Sequence, residues 1–172
     1  MFANLSFLNQ ELPTAAQVDV FGPFKIPIYF EAESTCRSEE WAWHAMAAAN
    51  ASGVNLLNYR HVMFVLPASE HIQRRICKWN GLGNMGCGFM CKTWITNCDQ
   101  LGVYVHELGH NVGFRHANVN WDFKGPVVEY GDPTAIMGNK WFSNTNVFYF
   151  NAAHRIQAGW IPQHKTLQVA QS

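Results

Sequence analysis

The stretch His106-Glu107-Leu108-Gly109-His110-Asn111-Val112-Gly113-Phe114-Arg115-His116 constrains this chain more than any other. It reads H-E-x-x-H-x-x-G-x-x-H. His106 and His110 are about one turn apart, so on a helix they share a face and can grip one metal ion. Neutral imidazoles suit Zn²⁺, and three protein ligands plus a water is the usual catalytic arrangement. Gly113 falls where such a helix would stop, and a glycine there allows the turn that returns His116 as third ligand. Glu107 sits between the helical histidines and cannot stray far from the helix. Its carboxylate is expected to reach a metal-bound water, the position of a general base. The competing explanation is a chance H-E-x-x-H on a structural helix, which loses force once Gly113 and His116 stand at the required offsets.

The helix predicted around the motif has two sides. Leu101, Val105, Leu108 and Val112 recur at helical spacing and form an apolar stripe. His106 and His110 project away from it, and Gly102, Gly109 and Gly113 lie on a flank where a neighbour can come close. Downstream, Tyr130-Gly131-Asp132-Pro133-Thr134-Ala135-Ile136-Met137-Gly138 is marked as a turn by its Pro and Gly residues. Met137 is the one methionine after His116. It could be a gap-filling core methionine or the floor of the metal site.

The extended histidine motif followed by a methionine turn resembles the metzincin zinc proteases. The flanking segments narrow the resemblance. Glu129-Tyr130-Gly131-Asp132, Met137-Gly138, and Phe150-Asn151-Ala152-Ala153-His154 ending in Gly159-Trp160 are similar to the gametolysin family. So are Trp79-Asn80-Gly81-Leu82-Gly83, Gly86-Cys87-Gly88 and Cys91-Lys92-Thr93-Trp94. The resemblance spans roughly 36–160. It implies an α+β, metzincin-like zincin fold: a mixed sheet, long helices above a cleft, the active-site helix, and an irregular lower part with a Met-turn and a C-terminal helix. It also implies a secreted, extracellular enzyme acting on a protein or peptide substrate, with Pro- and hydroxyproline-rich cell-wall glycoproteins as substrate class. The family is made with a signal and a propeptide. Met1-Phe2-Ala3-Asn4-Leu5-Ser6 has neither a basic region nor a long apolar core, so a partial or processed chain is expected.

Composition sets the bounds. The length of 172 residues suits a single domain over 1–172. Twelve basic residues balance twelve acidic ones, which gives no footprint for nucleic acid or a charged membrane surface. No apolar run is long enough for a membrane span. Five cysteines, Cys36, Cys77, Cys87, Cys91 and Cys98, point to disulfides with one thiol left over. At least one bridge is expected among Cys77, Cys87, Cys91 and Cys98. The alternative is a structural zinc site at Cys87 and Cys91.

Gly81-Leu82-Gly83-Asn84-Met85-Gly86 spells G-x-G-x-x-G, but it lacks the preceding apolar strand and following helix of a dinucleotide site. A Gly-rich strand edge beside the cleft, able to pair with an extended peptide, is the better reading. Strands are expected over Phe24–Phe30, Tyr59–Leu66 and Lys92–Thr96. Ser38 and Asp99 are candidate caps for helices, and Asn151 for a last helix over Ala152–Ala158 with Gly159 as its stop. His44, His61, His71 and His154 lack paired ligands at useful spacing and are expected to be structural.

The chemistry expected is peptide hydrolysis. Zn²⁺ lowers the pKa of its water to about 7, Glu107 takes the proton, and later passes it to the leaving amine. Some metzincins carry a tyrosine soon after the Met-turn to support the oxyanion; here Gly138 and Asn139 follow Met137, so the role has no assigned residue, and Tyr130, before the turn, is only a candidate. Two other classes compete: an inactive zinc-binding matrix module, against which an intact Glu107 argues, and a structural protein with a cysteine zinc site.

Overall fold

The computed structural model describes residues 18–29, 32–67, 71–96, 98–120, 125–139 and 149–161. Helix α1 spans Ser38–Ala51, α2 Leu101–Asn111 and α3 Ala152–Gln157. Strands β1 (His61–Val65), β2 (Gly81–Gly83) and β3 (Cys91–Ile95) form one sheet in the order β1-β3-β2. β1 runs parallel to β3 and β2 antiparallel to it, so the fold is α+β with a small mixed sheet.

β3 is the centre, and its residues alternate between two covered faces. Trp94 faces α1: it stacks on Phe64, clusters with Ala42, and its indole N–H donates to the Ser38 carbonyl. Lys92, on the same face, pairs with Glu39. Thr93 faces α2, where its hydroxyl donates to Asn111 Oδ1. The two longer helices therefore lie on opposite faces of the sheet instead of together above the cleft. β1, expected as a buried strand, is an edge strand and only Phe64 within it is fully buried.

Other expectations shift for physical reasons. Phe24–Tyr29 forms no strand; Ile26 and Ile28 pack instead on the cluster of Trp41, Leu66, Ile72 and Cys77. Pro27 has no N–H for a ladder. Ser38 and Asp99 are not caps, because Arg37 and Gln100 hold those positions without a side-chain hydrogen bond. Asn151 does cap α3, accepting from the His154 N–H. Cys36–Cys77 and Cys87–Cys91 are disulfides and Cys98 is free and exposed, which removes the cysteine zinc site.

α2 is buried on more sides than its apolar stripe predicts. Val105 is buried in the lower cluster with Phe114, Met137, Phe150 and Trp160, and Leu101 and Val112 pack against it half-buried. Leu108 is only half-buried, while Val103, Glu107, His110 and Asn111 are buried. The helix is wedged between the sheet and the lower part of the molecule, so its polar face is enclosed too. Among the described residues no helix is long and apolar enough to cross a membrane.

Candidate metal centre and cleft

The end of α2 shows how the third histidine returns. Gly113, at φ 97°, donates to the His110 carbonyl, and Phe114 donates to that of Gly109. This pair of reversed bonds satisfies the last helical carbonyls and turns the chain back. Phe114 is then fully buried in the aromatic cluster, and its carbonyl accepts from His110 Nδ1 at 2.8 Å. Two residues later His116 faces the helix, its ring centroid 4.9 Å from that of His110 and 5.4 Å from that of His106. One potential ligand atom from each of His106, His110 and His116 lies within 4.8 Å of the others.

The far nitrogen of each ring is engaged. His106 Nδ1 donates to the Ile136 carbonyl at 2.8 Å, and His116 Nδ1 to Glu129 Oε1 at 2.6 Å. A carbonyl or carboxylate oxygen only accepts, so each Nδ1 carries a proton, and in a neutral ring Nε2 is the nitrogen left for a metal. Yet Nε2 of His110 and Nε2 of His116 stand 3.2 Å apart. With both rings neutral these are two lone pairs, which cannot bond to each other but can share one cation. Two nitrogens held about 2.0–2.1 Å from one tetrahedral zinc are themselves about 3.3–3.4 Å apart. Burial also holds His106 down to about 4 and lowers His110, so both are neutral near pH 7, as ligands must be. The cluster is geometrically consistent with a zinc site.

Met137, fully buried, lies under α2. A Cβ at Gly109 would run into its sulfur, which explains the glycine in the middle of the helix. The turn carrying Met137 is tied to the segment after His116 by Ala117 N–H to Met137 O (2.8 Å) and Asp132 N–H to Ala117 O (3.0 Å). Asp132 also accepts from Thr134 and Asn151 through its carboxylate. One turn thus supports the helix from below and supplies the Ile136 carbonyl that orients His106.

Glu107 faces a cleft of about 280 Å³ whose lining includes Lys78, Asn80, Gly81, Val103, His106 and Tyr130. Gly81 of β2 lines it, and among the described residues β2 is a sheet edge. Its glycines are explained by closeness to α2: a Cβ on Gly81 would stand 2.6 Å from the Glu107 side chain, and one on Gly83 2.6 Å from the Glu107 carbonyl oxygen. The G-x-G-x-x-G string therefore marks helix–strand contact. Burial pushes Glu107 up to about 8, opposed by a hydrogen bond from the Gly83 backbone. Tyr130, at φ 59°, lays its ring over His116 with centroids 3.9 Å apart.

Among the described residues, the triad is the one cluster of His, Cys, Asp and Glu suited to a metal. His61 bonds to Asn111 and His154 packs on Phe114, and neither belongs to that cluster. The side chain of His71 lies outside the described residues. Sequence reasoning missed Glu129 as a partner of His116, because the two meet only through the turn that separates them. It also missed the Ile136 and Phe114 carbonyls, since backbone acceptors leave no residue signature.

A three-histidine centre with a neighbouring carboxylate on the same helix, beside an open sheet edge, is the arrangement of zinc-dependent metallopeptidases. The chain belongs to the gametolysin peptidase M11 family, whose model matches residues 2–168. Among curated proteins it is similar to autolysin of Chlamydomonas reinhardtii, 25% identical over 144 residues, which cover 72% of this chain and 21% of that protein. The chain thus spans about a fifth of the length of the curated relative it matches. No solved structure matches it.

Proposed function

We propose that this chain is the catalytic domain of a zinc-dependent endopeptidase, with His106, His110 and His116 as metal ligands and Glu107 as general base. The observation that carries this reading is the facing pair of Nε2 atoms on His110 and His116, 3.2 Å apart, with both opposite ring nitrogens hydrogen-bonded to oxygen. When bound, zinc supplies Lewis-acid polarisation of a carbonyl and acidifies a water. Glu107 holds the proton taken from that water and delivers it to the leaving amine. Its place on α2 beside His106, facing the cleft, suits the role. Tyr130, raised by burial, stays protonated and can donate to the developing oxyanion. Met137 serves as the apolar floor, so 130–138 is the Met-turn of a metzincin-like domain over 1–172.

The open edge of β2 supports an extended peptide as substrate, added as a further strand. Family membership supports extracellular-matrix or cell-wall proteins, including Pro-rich glycoproteins, and two disulfides fit a secreted, oxidising setting. The direct test follows hydrolysis of a Pro-rich protein by the purified chain before chelation, after it, and after zinc is restored, with zinc content measured in a His110→Ala/His116→Ala variant. Loss on chelation, recovery with zinc, and a zinc-poor variant are expected. A variant with full zinc would refute the ligand assignment. Zinc bound by the triad without any hydrolysis would favour the inactive matrix module.

A further inference from the structure

We propose that Glu129 is a positioning residue for the third metal ligand, fixing the tautomer and angle of His116; this rests on the zinc reading above. The three histidines are not held alike. His106 and His110 stand on α2 and donate to backbone carbonyls, those of Ile136 and Phe114. His116 lies beyond the helix, after the Gly113 turn, and its Nδ1 donates to a side chain, Glu129 Oε1, at 2.6 Å. The carboxylate can only accept, so it commits Nδ1 to the proton and leaves Nε2, which faces His110 Nε2, as the nitrogen for the metal. A carboxylate behind a ligating imidazole also raises its basicity toward the metal.

The backbone around Glu129 is fixed by contacts with the segment that carries His116. Val119 and Val128 exchange hydrogen bonds of 3.1 and 2.8 Å, and Gly131 N–H donates to Val128 O at 3.1 Å. A Cβ at Gly131 would meet that same Val128 oxygen at 2.8 Å, so the turn closes tightly. Between them Tyr130 takes a left-handed backbone angle, φ 59°, and covers the His116 ring. Glu129 and Tyr130 thus hold His116 at its Nδ1 and on its face. The Glu129 side chain is itself 65% exposed. A polar contact that open to water adds little to folding, so its placement has consequence at the metal and little elsewhere.

Zinc dissociation constants measured by competition with a chromophoric chelator test this, for the wild type, Glu129→Ala, Glu129→Gln, His116→Ala and the His116→Ala/Glu129→Ala double variant. Glu129→Ala is expected to weaken zinc by about 10–100-fold. Glu129→Gln should lose less, because its amide oxygen still accepts the Nδ1–H. With His116 already replaced, removing Glu129 should cost nothing more, since the carboxylate acts through that ring. Metal-free wild type and Glu129→Ala should melt together. The inference is overturned if Glu129→Ala binds zinc within about twofold of wild type, or if it costs the same factor in the His116→Ala background. A drop in metal-free stability that accounts for the lost affinity would overturn it too. If His116→Ala itself keeps wild-type affinity, it is the ligand assignment that fails, a result distinct from the others.

Discussion

At the scale of single residues, the site depends on where protons sit. The ring nitrogens of His110 and His116 that face each other are the ones left for a metal, because the opposite nitrogens donate to Phe114 O and Glu129. Glu107 is the other titrating group of consequence. In the metal-free chain burial raises it to about 8, whereas an unfolded glutamate titrates at about 4.3. Between those values the folded chain holds a proton that the unfolded chain releases. Its contribution to stability is therefore full below the lower value and is lost as pH rises through the upper one. His106, depressed by burial, acts with the opposite sign but is common to any Glu107 variant. Comparing urea midpoints of metal-free wild type and Glu107→Gln from about pH 5 to about pH 8, the wild type should lose ground to the variant as pH rises. Wild type gaining on the variant would mean that the carboxylate sits beside a cation, and an unchanged gap that it sits in water.

At the scale of elements, the decisive contact is between α2 and the edge strand β2. The strand can approach because Gly81 and Gly83 have no Cβ. Gly83→Ala would place a methyl 2.6 Å from a helix backbone oxygen that cannot rotate away. The strand must shift, and overpacking of this kind costs about 1–3 kcal/mol. Gly88→Ala is the matched control, since a Cβ there meets nothing within 4 Å; it should stay within about 0.5 kcal/mol of wild type. Equal denaturation midpoints for the two variants would contradict the close approach. This contact also shows what the sequence could not supply. The glycine string was legible as a strand edge and not a cofactor loop, but the partner it accommodates, Glu107, is known only once the helix is docked. Likewise the helix at 101–111 and the turn at Gly113 followed from periodicity and spacing, as did the capped helix at Ala152–Gln157. The Phe24–Phe30 strand did not form over its described part, because its apolar residues serve a core cluster.

At the scale of the whole molecule, two layers of local chemistry converge. The sheet and α1 fix the upper wall of the cleft. The turn at Asp132–Met137 and the aromatic cluster of Phe114, Phe150 and Trp160 fix the underside of α2. Long-range facts of this kind, such as α1 and α2 taking opposite faces of the sheet, were not readable from local patterns. The histidine spacing was, because a helix and one glycine turn suffice to bring three rings together. Cysteine pairing stood between these cases: a bridge at the Gly-rich segment was expected, while Cys36–Cys77, joining residues 41 apart, needed the fold.

The central claim is that Glu107 performs proton transfer without binding the metal. It is tested most directly by Glu107→Gln in the purified chain, with zinc content and peptide hydrolysis measured on the same sample and a chelated control beside it. Zinc close to one per chain is expected in both proteins, with a fall in hydrolysis of about 10²–10⁴-fold in the variant. Hydrolysis by Glu107→Gln at the wild-type rate, with zinc bound, would contradict it.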